Sequence, residues 1–277
     1  MTVEGICKSS ISRLKKISWN TVSAWQEKAA VAAGQFQDNL IYNVPVQELQ
    51  ADEIRTFVDC RAKEIYLITC LEVWSRLWIS RVVGRRNITH IRKLFRDVIY
   101  RTNLIDVPLI TTDGFGPYGP VVKGMFGANC VYGQVIKTRR KNKIVQIERK
   151  LIIGDRDGLE EVLEQSEDSK TLNISFVERH NLSIRRGCSY LNRLTPAHAR
   201  RKDRLDQQTE LYRCYYNFVR PHMALKFGRL YKTPAMQAGL VGKPLTFRQI
   251  FMSESSFVVI LILGCFGSGE GVKSRVA

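Results

Sequence analysis

Apolar positions recur at two different periods along this chain of 277 residues. From Lys8 to Ala33 the period is helical: Ile11 and Leu14 give one apolar edge, Ile17 and Ser18 break it, and Trp19, Val22, Trp25 and Ala29 resume it. Ser18 is placed to cap the second helix. Gly34 to Pro45 reads as a linker. From Gln47 the period drops to two, and Ile54, Thr56 and Val58 share the parity of Asp52, so an acid lies on the same strand face as apolar residues. An acid there needs a reason. Two further strands are predicted at Glu64 to Leu71 and Arg76 to Val83, around a turn at Glu72 to Ser75. Asn87 to Thr102 follows as a helix whose apolar face is Ile88, Ile91, Leu94, Phe95 and Val98. It crosses over to a strand at Val107 to Thr112, a parallel connection of the right-handed kind.

The second half alternates basic and acidic segments. Lys137 to Lys150 carries Lys137, Arg139, Arg140, Lys141, Lys143, Arg149 and Lys150 against the single acid Glu148, which suits either a hairpin tracking a DNA backbone or a solvated ribbon. A short acidic helix begins at Leu159 to Leu163, a loop spans Glu164 to Lys170, and Ser175 to Arg186 is again helical. Ala197 to Tyr216 reads as a helix with a basic start and Leu205, Leu211 and Tyr215 on its packed face. Phe257 to Phe266 is a continuous apolar run about half as long as a bilayer span. No secretory signal opens the chain, and there are no internal repeats.

Composition narrows the partner. The chain is 44% hydrophobic, ordinary for a folded protein, but its 43 Lys and Arg against 26 Asp and Glu give a formal charge of +17. That excess favours a polyanion, and nucleic acid is the commonest one. The seven cysteines are scattered with no CxxC pair, which supports neither a zinc site nor a disulfide framework and is simplest as reduced thiols in a cytoplasm. Those after Cys7 read as small hydrophobes. Trp74 and Trp78 read as sheet packing rather than base stacking, His90 and His198 as surface residues, and His222 as fixing a helix end.

Three acids stand in distinctive settings: Asp52 within a first strand, Asp113 at the end of the strand after the crossover, and Glu178 on a later helix. In TTDGFGPYGP the Asp113-Gly114 pair sits where open α/β sheets place ligands, although Asp-Gly is also an ordinary turn. Glu178 is followed at helical spacing by Asn181, Leu182, Arg185 and Arg186, so an acid that can hold a cation adjoins bases that can hold phosphates; a solvated helix face has the same composition. Carboxylates from separate elements are what a pair of divalent cations about 3.5 to 4 Å apart requires, and such a pair clamps the attacking and leaving oxygens of a phosphoryl displacement.

VQELQADEIRTFV, PLITTDGFGPY, ISFVERHNLSIRR and YYNFVRPHMAL together resemble a bacterial insertion-sequence transposase with an Asp-Asp-Glu core, closest to the group named after insertion sequence one. The resemblance covers roughly Lys8 to Leu240. It implies a ribonuclease H-like mixed sheet flanked by helices, shared with retroviral integrases, with Asp52, Asp113 and Glu178 as catalytic metal ligands for two Mg²⁺ ions, Mn²⁺ being a substitute. The implied chemistry is metal-dependent cleavage at transposon ends and strand transfer into target DNA, without a covalent protein intermediate. Double-stranded DNA is the implied partner, the DNA-bound form a homo-oligomer, and the location a bacterial cytoplasm with no membrane association. His180, Asn181, Arg185 and Arg186 match the family segment and are expected to orient DNA. Lys137, Arg139 and Arg140 are the hairpin's expected DNA contacts.

The first two helices resemble a helix-turn-helix in which Asn20, Thr21 and Ser23 reach base edges, with Lys16 where a turn glycine is usual. The domain expectation is 1–36 as a partial helix-turn-helix element, 46–240 as the ribonuclease H-like core and 241–277 as a divergent tail. Relatives carry a cysteine-rich zinc ribbon ahead of the helix-turn-helix, whereas here only Cys7 precedes it, so a copy shortened at its amino end is expected. Two alternatives stay open: a catalytically silent derivative that only binds transposon ends, and a ribonuclease H-like nuclease without strand transfer.

Overall fold

Strand alternation from Glu48 onward builds one mixed sheet of six strands in the computed structural model, which describes residues 1–104, 107–141 and 143–252. β1 (Glu48–Phe57), β2 (Glu64–Glu72) and β3 (Trp78–Gly84) form an antiparallel meander. α3 (Ile88–Arg101) then crosses to β4 (Leu109–Asp113), which lies parallel to β1. After α4 (Tyr118–Phe126), β5 (Val131–Arg140) adds parallel to β4, and β6 (Lys143–Ile153) closes the edge antiparallel to β5. The order is therefore β3-β2-β1-β4-β5-β6, with helices on both faces, an arrangement compatible with the expected ribonuclease H-like fold. Among the described residues, no helix is long and apolar enough to cross a membrane.

The alternation of β1 assigns its faces. Gln50 and Asp52 bond to residues of α6 (Ser175–Gly187), which leaves Leu49, Ala51 and Glu53 on the α3 side. Ile91, Leu94, Phe95 and Val98 of α3 are buried as their spacing predicts, and Asn87 caps the helix through its side-chain oxygen. α4 has no counterpart in the sequence reading, because glycine and proline punctuate its start.

The amino-terminal hairpin forms as α1 (Lys8–Lys15) and α2 (Trp19–Leu40). Lys16 adopts the left-handed conformation usually left to glycine, with φ 52°, and Ser18 caps α2 by accepting from the Asn20 amide. The expected linker at Gly34 to Pro45 is a correction: α2 runs through Gly34, because Phe36, Gln37 and Leu40 bury against the core. Its packed face is Val22, Gln26, Ala30, Ala33 and Phe36, whereas Trp19 and Trp25 are exposed.

α5 (Arg156–Gln165) is capped by Asp155, and α7 (Lys202–Cys214) begins later than Ala197. The late start has a local cause: the Ala199 carbonyl accepts from the Asp59 amide, and Ala199 bridges to Val58 beyond the end of β1. A π turn at Tyr215–Val219, α8 (Pro234–Gln237) and α9 (Phe247–Met252) follow. Val241, Leu245 and Ile250 join the core. The apolar run at Phe257 to Phe266, like Cys265, lies outside the described residues. Cys70, Cys130, Cys188 and Cys214 are buried as expected, and Cys60 is exposed. Trp78 is fully buried, in keeping with a packing role.

Candidate functional site

Parallel pairing of β1 with β4 sets Ala51 opposite Thr112, so the next residues on each strand, Asp52 and Asp113, emerge side by side. α6 is then fixed to β1 at two points. Gln50, fully buried, accepts hydrogen bonds from the Phe176 and Val177 amides, replacing an absent side-chain cap at the helix start. One turn on, Asn181 donates to Asp52 Oδ2 at 2.8 Å and accepts from Thr69 on β2. The rotation of α6 is set from behind by His180, whose ring packs against Trp78 and Tyr216 with centroids at 4.7 and 4.5 Å. Gly187 completes the docking, since a Cβ there would fall 1.9 Å from Tyr212 Cε2.

These contacts bring Asp52, Asp113 and Glu178 to one open groove of about 410 Å³, lined also by Arg86, Gly114, Phe115 and Lys137. Gly114 is required there, because a Cβ would meet Ile136 at 2.7 Å. Asp113 Oδ1 accepts from the Phe115 amide, which fixes the turn after β4. Glu178 faces the groove from α6, with Lys137 Nζ 2.6 Å from its Oε2.

A fourth acid joins them. Glu53 points to the opposite face from Asp52, yet Asp52, Glu53 and Asp113 each offer a carboxylate oxygen within 4.8 Å of the others. Arg86, at the turn after β3, spans the last two: Nε lies 2.9 Å from Glu53 Oε1 and Nη2 lies 2.9 Å from Asp113 Oδ2. Its guanidinium stacks on Phe115 at 3.8 Å. Sequence reasoning missed both residues, and only the strand after Asp52 and the basic pair Arg85-Arg86 marked them.

Crowding is visible in the protonation equilibria. Burial raises the Asp52 carboxyl to about 6, and the charges of Asp113 and Glu178 push the same way against the hydrogen bonds of the Glu53 amide and Asn181. Burial raises Glu53 to about 7, opposed by Arg86 and assisted by Asp113. Burial also raises Asp113. An all-oxygen donor set of crowded carboxylates fits a hard divalent ion such as Mg²⁺ or Mn²⁺. Asp52, Glu53 and Asp113 are the residues positioned to hold one, and Glu178 lies across the groove.

The remaining expected site residues divide. Asn20 is exposed and Thr21 half-buried at the start of α2, and Arg139, Arg140 and Arg186 are exposed. Four more are wholly or partly buried. Ser23 is buried and accepts from Lys8 Nζ at 3.2 Å, so it reaches no base edge. Asn181 is buried against Asp52 and Thr69, which occupies it within the protein. Arg185 is half-buried and donates to the Leu191 carbonyl. His180 is buried, and burial lowers its pKa to about 3, which suits a neutral ring packed in the core.

No known family model matches the sequence, and no curated protein matches it. One similar solved structure is the cryo-EM structure of the piggyBac transposase synaptic complex with hairpin DNA, at TM-score 0.30 and 11% identity over 84% of this chain and 60% of that one. The chain thus spans less than two thirds of that protein's length. A likeness this distant bears on neither the fold nor the reaction.

Proposed function

We propose that this chain is a DNA transposase of the Asp-Asp-Glu type, similar to the insertion sequence one group, acting on double-stranded DNA as a homo-oligomer. The observation that carries the reading is the convergence of Asp52, Asp113 and Glu178, from two adjacent parallel strands and a helix, on one open groove in a protein of formal charge +17. Two divalent ions held there would supply Lewis-acid stabilisation of the oxygens that gain charge as a phosphodiester is cut and rejoined. Asp52, Asp113 and Glu178 are the proposed ligands, and Asn181 orients Asp52 through its amide. Lys137, exchanging Glu178 for a phosphate oxygen, would orient the scissile strand. Arg139, Arg140 and Arg186 would add phosphate contacts, and Asn20 and Thr21 of the 1–36 element would read the transposon end, with 46–240 as the catalytic core and 241–277 as a stretch of divergent sequence.

Incubating the purified protein with supercoiled plasmid and Mg²⁺ or Mn²⁺ tests the reading by counting nicked circles. The expected result is metal-dependent nicking that is abolished in Asp113→Ala and in Glu178→Ala, with joined products once cognate ends are supplied. Cleavage without joining would make the chain a ribonuclease H-like nuclease. Duplex binding with no cleavage of cognate ends would make it a silent, end-binding derivative.

A further inference from the structure

Helix α3 buries one face and leaves the other strongly basic. Ile91, Leu94, Phe95 and Val98 take the sheet side, so Thr89, Arg92, Lys93, Arg96 and Tyr100 are exposed. A shallow groove of about 640 Å³ runs over this face, lined by these residues with His90 and Asp97. Asp97, the acid among them, is committed to Arg101 at 2.9 Å. Other acids on the adjoining elements are committed too: Asp206 to Arg81 and Asp203 to Arg201. Among the described residues, Arg85, Arg92, Lys93 and Arg96 stand in no ion pair, in contrast to Arg81, Arg86 and Arg101 on the same two elements and the turn between them.

A second element extends the patch. His90, held by Asn87 at 2.8 Å and tight against Gly84, has its pKa lowered by burial and by the nearby charges of Lys202, Lys93 and Arg85. Lys202 opens α7, so cations from distant parts of the chain converge where they repel one another. The patch also includes Arg85, the neighbour of the Arg86 that grips Glu53 and Asp113, and so it adjoins the acidic groove.

We propose that the outer face of α3, extended by Arg85 and Lys202, is a second phosphate-tracking surface that holds duplex DNA leading away from the acidic groove. The inference rests on the reading that the groove acts on DNA, and it adds a surface that lies outside every motif of the resemblance. Charge complementarity selects the occupant: cations that stand in no ion pair and rim a shallow groove suit a phosphate backbone. From Thr89 to Arg96 the helix rises about 10 Å, which matches about three base-pair steps of 3.4 Å. Contacts of this kind are indifferent to base sequence, so the surface serves flanking or target duplex rather than recognition of a terminal repeat.

The test is a salt titration, between 50 and 200 mM, of binding to two 30-base-pair duplexes of unrelated sequence, read by fluorescence anisotropy. The proteins are the parent, the triple variant Arg92→Gln/Lys93→Gln/Arg96→Gln, the charge-retaining Arg92→Lys/Arg96→Lys, and the hairpin variant Arg139→Gln/Arg140→Gln. The triple variant should bind both duplexes roughly tenfold or more weakly, with the slope of log affinity against log salt shallower by about 2.7, the loss of three phosphate contacts. The lysine variant should keep the parent slope. An unchanged slope and affinity in the triple variant, with the hairpin variant weakened, would overturn the α3 surface and leave the DNA reading standing. A parent protein that binds neither duplex would overturn both.

Discussion

Two clusters of buried charge lie within this fold, and they are built on opposite plans. Between α2, α3, β3 and α7, acids and arginines alternate: Arg81 contacts Asp206 at 2.7 Å and Glu210 at 2.6 Å, Arg101 contacts Asp38 at 2.5 Å and Asp97 at 2.9 Å, and Arg213 lies 3.5 Å from Glu210. Burial pushes the Glu210 carboxyl up, but Arg81 and Arg213 outweigh it and leave it below the ordinary carboxylate range. At the groove, acid adjoins acid. There Asp113 and Glu178, the acidic neighbours of Asp52, push in the same direction as burial, and the Asp52 carboxyl is held near 6. Similar burial thus produces opposite protonation according to the sign of the neighbours. The first cluster pairs acid with base and clamps α2 to the core while lining a groove of about 490 Å³, so it is closed in charge alone, whereas the second is short of positive charge and suits a ligand that supplies it.

The largest effect should come from opening the closed cluster. Glu210→Ala leaves the buried Arg213 without an acid and Arg81 with Asp206 alone, and stranding a buried charge costs about 3–5 kcal/mol. Thermal unfolding followed by circular dichroism should show that loss, whereas Asp52→Asn should leave the metal-free protein as stable as the parent or more so. Equal losses in the two variants would erase the distinction between the clusters.

A smaller effect follows from pH. Asp52 and Glu53 titrate near 6 and 7 in the folded protein, above the ordinary values near 4 that they would regain on unfolding. Between those limits the folded state binds more protons than the unfolded chain, so their stabilising contribution is fully present below about pH 4 and is lost as pH rises through 6 and 7. Urea denaturation without metal should show a decline of roughly 4 kcal/mol from pH 5 to pH 8 that Asp52→Asn/Glu53→Gln reduces. Millimolar Mn²⁺ should restore the loss at pH 8 by binding the folded state alone. A flat profile in the parent would mean that the acids are better neutralised than their geometry indicates.

The sheet and the crossover could be read from the sequence because period-two and helical spacings are local properties, and the same spacings marked Asp52, Asp113 and Glu178. What escaped depended on partners far away in the chain. Gly34 reads as a helix breaker, but α2 continues through it because Phe36, Gln37 and Leu40 find buried places. Ser23 lies on the expected exposed start of a recognition helix until Lys8 reaches it from α1. Asn181 lies at the correct helical offset from Glu178, yet its task is to hold Asp52, which only the docking of α6 on β1 decides. Glu53 was passed over for a stereochemical reason: adjacent strand residues face opposite ways, and its return to the cluster depends on the end of β1 passing beyond its pairing with β4.

Arg86 gives the finest test, because it is the point at which the open cluster borrows the plan of the closed one. Its guanidinium neutralises Glu53 and Asp113 in the metal-free protein and is held flat by Phe115. It therefore competes with any divalent ion for the same oxygens, but it also favours their ionised form, which an incoming ion needs. The two influences separate with pH. Well above pH 7, once the carboxyls ionise even without the arginine, Arg86→Gln should bind Mn²⁺ several-fold more tightly than the parent when free Mn²⁺ is followed by electron paramagnetic resonance, a change of about 1 kcal/mol. At pH 6 the variant's carboxyls retain their protons more firmly than the parent's, and the gain should shrink or reverse. Equal affinities at both pH values would assign Arg86 to the architecture of the turn after β3 rather than to the charge balance of the groove.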